Sequence, residues 1–247
     1  MDGQPAAVAT RLERGFESVQ QAIKTICLAM PFHLGDVNCY LLETGGRFFL
    51  IDTGSSNQRR ELEAELQGAG CHPEDLKLIL ITHGDFDHTG NAAYLRSRFA
   101  SHIAMHPGDL GMAKNADMFF NRSRGNALLK TLVPRFSGFR KSNCFTPDIT
   151  IQDGSDLSEY GLEATVLDIP GHSKGSIGIL TSSGDLFCGD LLVNRGRPVL
   201  NSLIDDSPTA QASLEKLLKM NIKTVYPGHG NPFSLELLKA NGPSRSS

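Results

Sequence analysis

Positions 83 to 88 read His-Gly-Asp-Phe-Asp-His, and four of these side chains, His83, Asp85, Asp87 and His88, can bind a metal ion. In an extended or turning segment, side chains two apart share a face. His83, Asp85 and Asp87 can therefore enter one cavity, and His88 can join them where the chain turns into a helix. Imidazole mixed with carboxylate suits zinc, iron or manganese better than calcium or magnesium, which prefer oxygen-only shells. A single Asp or His in a polar loop would carry little meaning. Four at this spacing, straight after an apolar run, indicate a metal site.

That apolar run, Leu78-Ile79-Leu80-Ile81, reads as a buried strand delivering its C-terminal end to the site. Four other strands end in the same manner. Arg47 to Asp52 stops at Asp52-Thr53-Gly54, and Leu162 to Ile169 at Pro170-Gly171-His172-Ser173. A hairpin of Ser176 to Thr181 and Leu186 to Cys188 stops at Gly189-Asp190, and Lys223 to Tyr226 at Pro227-Gly228-His229-Gly230. The potential ligands thus fall at strand tips along one shared edge.

Between the strands, helical stretches are expected from Ser55 or Ser56 to Gly68, over Asn91 to Phe99, over Pro208 to Met220 and over Pro232 to Lys239. A hairpin joins Val37–Glu43 to Arg47–Asp52 through Thr44-Gly45-Gly46, whose glycines permit a tight turn. With a further strand at His102 to His106, the rhythm is that of an α/β (α+β) domain built from two similar β-rich halves. Leu12, Phe16, Val19 and Ile23 make a helical stripe, so a peripheral N-terminal helix is expected within residues 1–24.

Residues 107–147 differ in character. They hold several Met and Phe residues without a clean period, and between Asp109 and Lys141 carry seven Lys or Arg against two acids. A helical insertion over the active site fits this pattern, and a solvated basic face fits it equally well. The insertion could line a pocket or build a homodimer contact. Residues 242–247 form a polar tail.

The whole chain of 247 residues carries a net charge of −3, which excludes a nucleic-acid-binding polycation. No apolar run reaches the roughly 18 residues of a membrane helix, and Met1 to Thr10 lacks a signal-peptide core. Five scattered cysteines form no C-x-x-C pair and argue against a disulfide framework. The expectation is a cytoplasmic protein acting on a small molecule, with no nucleic-acid or membrane partner.

The ordered series Asp52-Thr53-Gly54, His83-x-Asp85-x-Asp87-His88, Gly171-His172-Ser173, Gly189-Asp190 and Gly228-His229 resembles the metallo-β-lactamase superfamily from about Thr25 to Lys239. The resemblance implies one domain over residues 1–247 with that fold, an αββα four-layer sandwich of two mixed sheets flanked by helices. It also implies two divalent ions, zinc first, with iron or manganese admitted by Asp85. His83 and His172 would hold one ion and Asp87, His88 and His229 the other. Asp190 would bridge them, and Asp52 would orient ligands from behind.

Most members of the family have His-x-His-x-Asp-His, so Asp85 stands where a histidine is usual. A glutamate ligates iron at this position in flavodiiron proteins, and direct ligation by Asp85 is expected. Its extra negative charge favours harder ions such as iron or manganese. A structural salt bridge is the competing reading.

The family's chemistry is metal-assisted hydrolysis, in which paired ions make a hydroxide available near neutral pH and polarise the substrate. Asp87 could also carry the proton to the leaving group. Thioester, ester or lactone hydrolysis comes first and phosphodiester hydrolysis second. The tyrosine that lactonases often carry after the bridging aspartate is absent, since Leu191 to Arg195 follows Asp190. Lys174, Arg195 or Arg197 could hold an anionic group, and His33 and His106 could line the pocket mouth or contact substrate.

One rival reading is a non-haem iron redox enzyme, built on His83, His172 and Asp190 in the manner of persulfide dioxygenases or on a di-iron pair. Another is a binding protein without turnover.

Overall fold

The computed structural model describes residues 21–30, 35–120, 122 and 141–241. His33, the N-terminal stripe up to Val19, residues 121 and 123–140 of the basic insertion and the polar tail lie outside the described residues.

Among the described residues the strands form two sheets. The first runs in the order β1 (Ala22–Ala29), β2 (Asp36–Thr44), β3 (Arg47–Ile51), β4 (Leu76–Ile81), β5 (His102–Met105) and β6 (Ile149–Thr150). Its β1-β2-β3 part is antiparallel and its β3-β4-β5-β6 part parallel. The second contains β7 (Ala164–Asp168), β8 (Ile177–Thr181), β9 (Asp185–Asn194), β10 (Pro198–Leu200), β11 (Thr224–Gly230) and β12 (Phe233–Ser234). Its order is β12-β11-β9-β8-β7, with β10 also paired to β9.

Alternation along the strands explains the layering. Val37, Cys39 and Leu41 of β2 face a core shared with Leu62 and Leu66 of α1 (Arg59–Gly68) and with Leu95 and Phe99 of α3 (Ala92–Phe99). Tyr40 and Leu42 of the same strand face the opposite way, into a second core with Ile179 and Phe187 of the other sheet. A strand buried on both faces must be apolar at nearly every position, as β3 and β4 are. On the far side, Leu186 and Cys188 pack against Ala210, Leu214 and Leu217 of α5 (Ser207–Leu218). The layers are therefore helix, sheet, sheet, helix.

Three differences from the sequence reading stand out. Ile23, expected on the helical stripe, lies in β1, which begins at Ala22; its Ile26 and Leu28 are buried while Cys27 between them is exposed. The expected last helix is divided into β12 and α6 (Glu236–Asn241). β9 and β11 run on through Asp190 and His229 instead of stopping short of them.

That last extension joins the sheets beside the site. The Asn38 side-chain amide donates to the carbonyls of Pro227 (3.0 Å) and Gly230 (2.7 Å), and the Tyr40 hydroxyl donates to Pro227 at 2.6 Å. Pro227 lacks an N–H and its register slips against β9, so side chains of β2 satisfy a carbonyl that the bulged ladder leaves over. Among the described residues, no helix is long and apolar enough to cross a membrane.

Candidate metal centre

The loop after β4 carries His83 and Asp85, and the single turn α2 (Phe86–Thr89) carries Asp87 and His88. His172 comes from the turn after β7, Asp190 from within β9 and His229 from β11. All seven side chains are buried.

Each imidazole is held from behind through Nδ1. His83 Nδ1 lies 3.0 Å from the Thr82 hydroxyl, and His88 Nδ1 2.8 Å from Asp52 Oδ2. His172 Nδ1 lies 2.6 Å from the Leu203 carbonyl, and His229 Nδ1 2.5 Å from the Asp36 carbonyl. A carbonyl or carboxylate can only accept, so Nδ1 of His88, His172 and His229 carries the proton. The Thr82 hydroxyl donates to Asp52 Oδ2 at 2.7 Å and so accepts from His83. In their neutral form, all four rings turn an Nε2 lone pair inward, the arrangement by which proteins orient metal ligands.

Those inner atoms cluster. The ligand atoms of His83, Asp85 and His172 lie within 4.8 Å of one another, as do those of Asp87, His88 and His229, and those of His83, His88 and Asp190. Asp190 sits between, with Oδ1 3.4 Å from His88 Nε2 and Oδ2 3.2 Å from His229 Nε2. The Asn201 amide donates to its Oδ2 at 3.3 Å. Nε2 of His83 and His88 and Oδ1 of Asp190 have no hydrogen-bond partner among the described residues. Buried polar atoms left unpaired cost roughly 1–3 kcal/mol each. Three of them aimed at one point match the donor set a cation would satisfy.

Charge reinforces the fit. Burial pushes the His88 imidazole down, but Asp52, Asp190 and Asp87 together lift it well above its usual range. His229 rises to about 9 against its burial, chiefly through Asp190. His83 is pushed down by burial and by the neighbouring His88. Burial opposes ionisation of Asp190, yet His229 and His88 hold its carboxyl well below the usual range.

Two backbone features make the packing possible. Asp52 adopts a left-handed conformation (φ 59°), costly for a non-glycine residue. Its carboxylate secures it, accepting from the Thr82 amide at 2.9 Å as well as from the hydroxyl. Gly228 lies directly under the cluster, where a Cβ would collide with Asp190 Oδ1 and stand 2.7 Å from His88 Cε1.

A family model described as the metallo-beta-lactamase superfamily matches residues 34–229. The chain belongs to the metallo-β-lactamase superfamily. One relative, the "Beta-lactamase-like protein 2 homolog" of Caenorhabditis elegans, is 25% identical over 201 residues, covering 81% of this chain and 58% of its own length. The chain thus spans less than two thirds of that relative. The "Acyl-coenzyme A thioesterase MBLAC2" of Bos taurus is 28% identical over 226 residues, covering 81% of this chain and 75% of the relative. Among solved structures, TTHA1623 in a di-iron-bound form is 30% identical with a TM-score of 0.65, covering 85% of this chain and 94% of its own.

A cavity of about 550 Å³ opens over this metallo-β-lactamase-type cluster. Phe86, Met118, Phe119, Leu203 and Ile204 give it apolar walls, and Arg195 brings an exposed cation to it. Two other expected substrate contacts, Lys174 and His106, lie elsewhere. Lys174 lines a neighbouring cavity on the far side of Arg122 and Asp205. His106 borders neither cavity: its Nδ1 accepts from the Gly108 amide at 3.0 Å, and its Nε2 lies 3.6 Å from Asp168.

Two residues at the site escaped the sequence reading except as counted charges. Asp109 is buried and accepts from the Gly84 amide (2.9 Å), the Ser173 hydroxyl (2.5 Å) and the Gly175 amide (2.8 Å). It clamps the loop bearing His83 to the loop bearing His172. Arg122 donates to Asp85 Oδ1 at 2.6 Å. Burial of Asp85 resists its ionisation, but Arg122 and then His172 and His83 hold its carboxyl well below the usual range.

Proposed function

We propose that this chain is a metal-dependent hydrolase that cleaves an ester, thioester or lactone of a small, anionic substrate. The observation that carries this reading is the inward convergence of four Nε2 atoms on the carboxylates of Asp85, Asp87 and Asp190, beneath an apolar cavity. His83, Asp85 and His172 would hold one ion, and Asp87, His88 and His229 the other, with Asp190 shared. Two divalent ions there would supply Lewis acidity and an acidified water.

The protein's own groups do the rest. Asp52, Thr82 and the Leu203 and Asp36 carbonyls fix the imidazole rings before substrate arrives. Asp87 Oδ2 lies 3.5 Å from His229 Nε2, and its carboxylate borders the cavity, placed to receive a proton and return it to a leaving group. Phe86, Phe119 and Leu203 exclude water from the acyl portion, while Arg195 offers a charge to an anionic end. The bovine relative's name as a thioesterase supports the reaction class. Zinc is the first choice of ion, and the di-iron relative supports iron as the alternative. Five free cysteines, three of them buried, support a reducing cytoplasmic setting.

The test is metal content of protein purified without added ions, together with aryl-ester and acyl-thioester panels and oxygen uptake. Two ions per chain and hydrolysis abolished in Asp190→Ala are expected. Iron with oxygen uptake and no hydrolysis would overturn this reading in favour of a redox enzyme, to which the di-iron relative lends some weight.

A further inference from the structure

Asp85 is the position at which this chain leaves its family's usual histidine pattern, and the structure supplies that residue with a partner. Arg122, which follows 37 positions later in the chain, reaches back over the metal cluster. One guanidinium nitrogen donates to Asp85 Oδ1 at 2.6 Å, and another donates to the His172 carbonyl at 3.3 Å. Nε stands 2.7 Å from Asp205 Oδ2. The arginine side chain is only 9% exposed, which distinguishes this from a solvated surface pair. The two oxygens of Asp85 thus have separate tasks: Oδ1 takes the arginine, while Oδ2 lies 3.1 Å from His172 Nε2 and 3.6 Å from His83 Nε2.

We propose that Arg122 and Asp85 act as one formally neutral unit in place of the histidine ligand, with Arg122 as its positioning residue. The proposal rests on the metal-site reading above. Replacing an imidazole by a carboxylate adds a negative charge to a buried pocket that already holds Asp87 and Asp190, and like charges repel strongly there. A guanidinium stays protonated at all working pH values, so the pair restores the charge of a histidine. The side chain of aspartate is also shorter than that of histidine. With Oδ1 engaged, Oδ2 is directed at the ring nitrogens of His83 and His172. The second contact, to the His172 carbonyl, fixes the backbone of another ligand from the same arginine. Asp205 holds the arginine from its other side.

Arg122 offsets the added negative charge of Asp85, so a preference of this site for iron or manganese rests on the carboxylate donor itself.

The experiment titrates the chelator-stripped full chain with Co2+, followed by its visible spectrum, and with Zn2+, followed by calorimetry. The wild type takes two ions. Arg122→Gln lowers the affinity for one of them by about 10–100-fold and alters the Co2+ bands of that site alone. Asp85→His, which leaves the guanidinium facing a neutral ring, also weakens that ion. The double variant Asp85→His/Arg122→Gln binds it more tightly than either single variant. Unchanged binding in Arg122→Gln, or a double variant no better than the singles, overturns the proposal. Should Arg122→Gln fail to fold, the order of affinities between Asp85→His and the double variant decides alone. A wild type that takes fewer than two ions overturns the two-metal reading instead.

Discussion

Oδ2 of Asp52 lies 2.8 Å from Nδ1 of His88, and both groups are buried. The same carboxylate accepts from the amide and hydroxyl of Thr82, whose hydroxyl stands 3.0 Å from His83 Nδ1. One aspartate at the end of β3 therefore sets two imidazoles that belong to different candidate ion sites. Asp52→Ala is expected to lower metal affinity by about 10–100-fold, measured by competition with a chromogenic chelator. Affinity equal to the wild type would show that the rings are held by packing alone.

Asp109 should matter to stability independently of any ion. Its replacement by Ala leaves the Gly84 and Gly175 amides without their acceptor in a buried setting and removes one of the two partners of the Ser173 hydroxyl. A loss of about 3 kcal/mol is expected, read as a lower denaturant midpoint in chelator-stripped protein. A midpoint within error of the wild type would mean that water replaces the clamp.

Ion binding should strengthen as pH rises. In the metal-free protein, nearby carboxylates raise His88 and His172 against their burial, and they raise His229 to about 9. The His229 ring, at about 9, is therefore largely protonated at neutral pH, and an incoming ion must displace that proton. Calorimetry in buffers of different ionisation enthalpy should show proton release that shrinks as pH approaches 9. Binding without proton release at pH 7 would show that the rings are already neutral.

The cysteines make a separate test of the layers. Burial pushes the Cys188 thiol up to about 12, and burial with Asp75 nearby does the same for Cys71. Cys39 is likewise raised well above its usual range by burial, Asp52 and Asp87. Cys27 is exposed and Cys144 half-buried. A thiol reagent at pH 8 should label Cys27 and Cys144 in the native protein, and the other three only on unfolding. Native labelling of Cys188 would contradict the packing of β9 against α5.

The strand tips were readable because an apolar run that stops at a ligand-type residue leaves few alternatives. That logic led to His83, Asp190 and His229 directly. β1 was not readable: its half-exposed edge character let Ile23 be counted with the helical stripe before it, although Ile26 and Leu28 alternate as a strand's would. The bulged course of β11 depends on Asn38 and Tyr40, nearly 190 positions away. Nothing local announces such a partner. Arg122 and Asp109 sit within a segment that reads as a helical insertion over the site or as a solvated basic face, and their partners lie on loops far off in the chain. His106 and Lys174 looked suitable by type, but their side chains meet Asp168 and a neighbouring cavity instead.

The most direct test is anomalous diffraction from crystals of the full chain, recorded at the zinc and iron absorption edges. Two peaks about 3.5–4 Å apart are expected, one beside His83, Asp85 and His172 and the other beside Asp87, His88 and His229, with Asp190 between them. No peak at these residues, or a single ion bound without Asp190, would contradict the account.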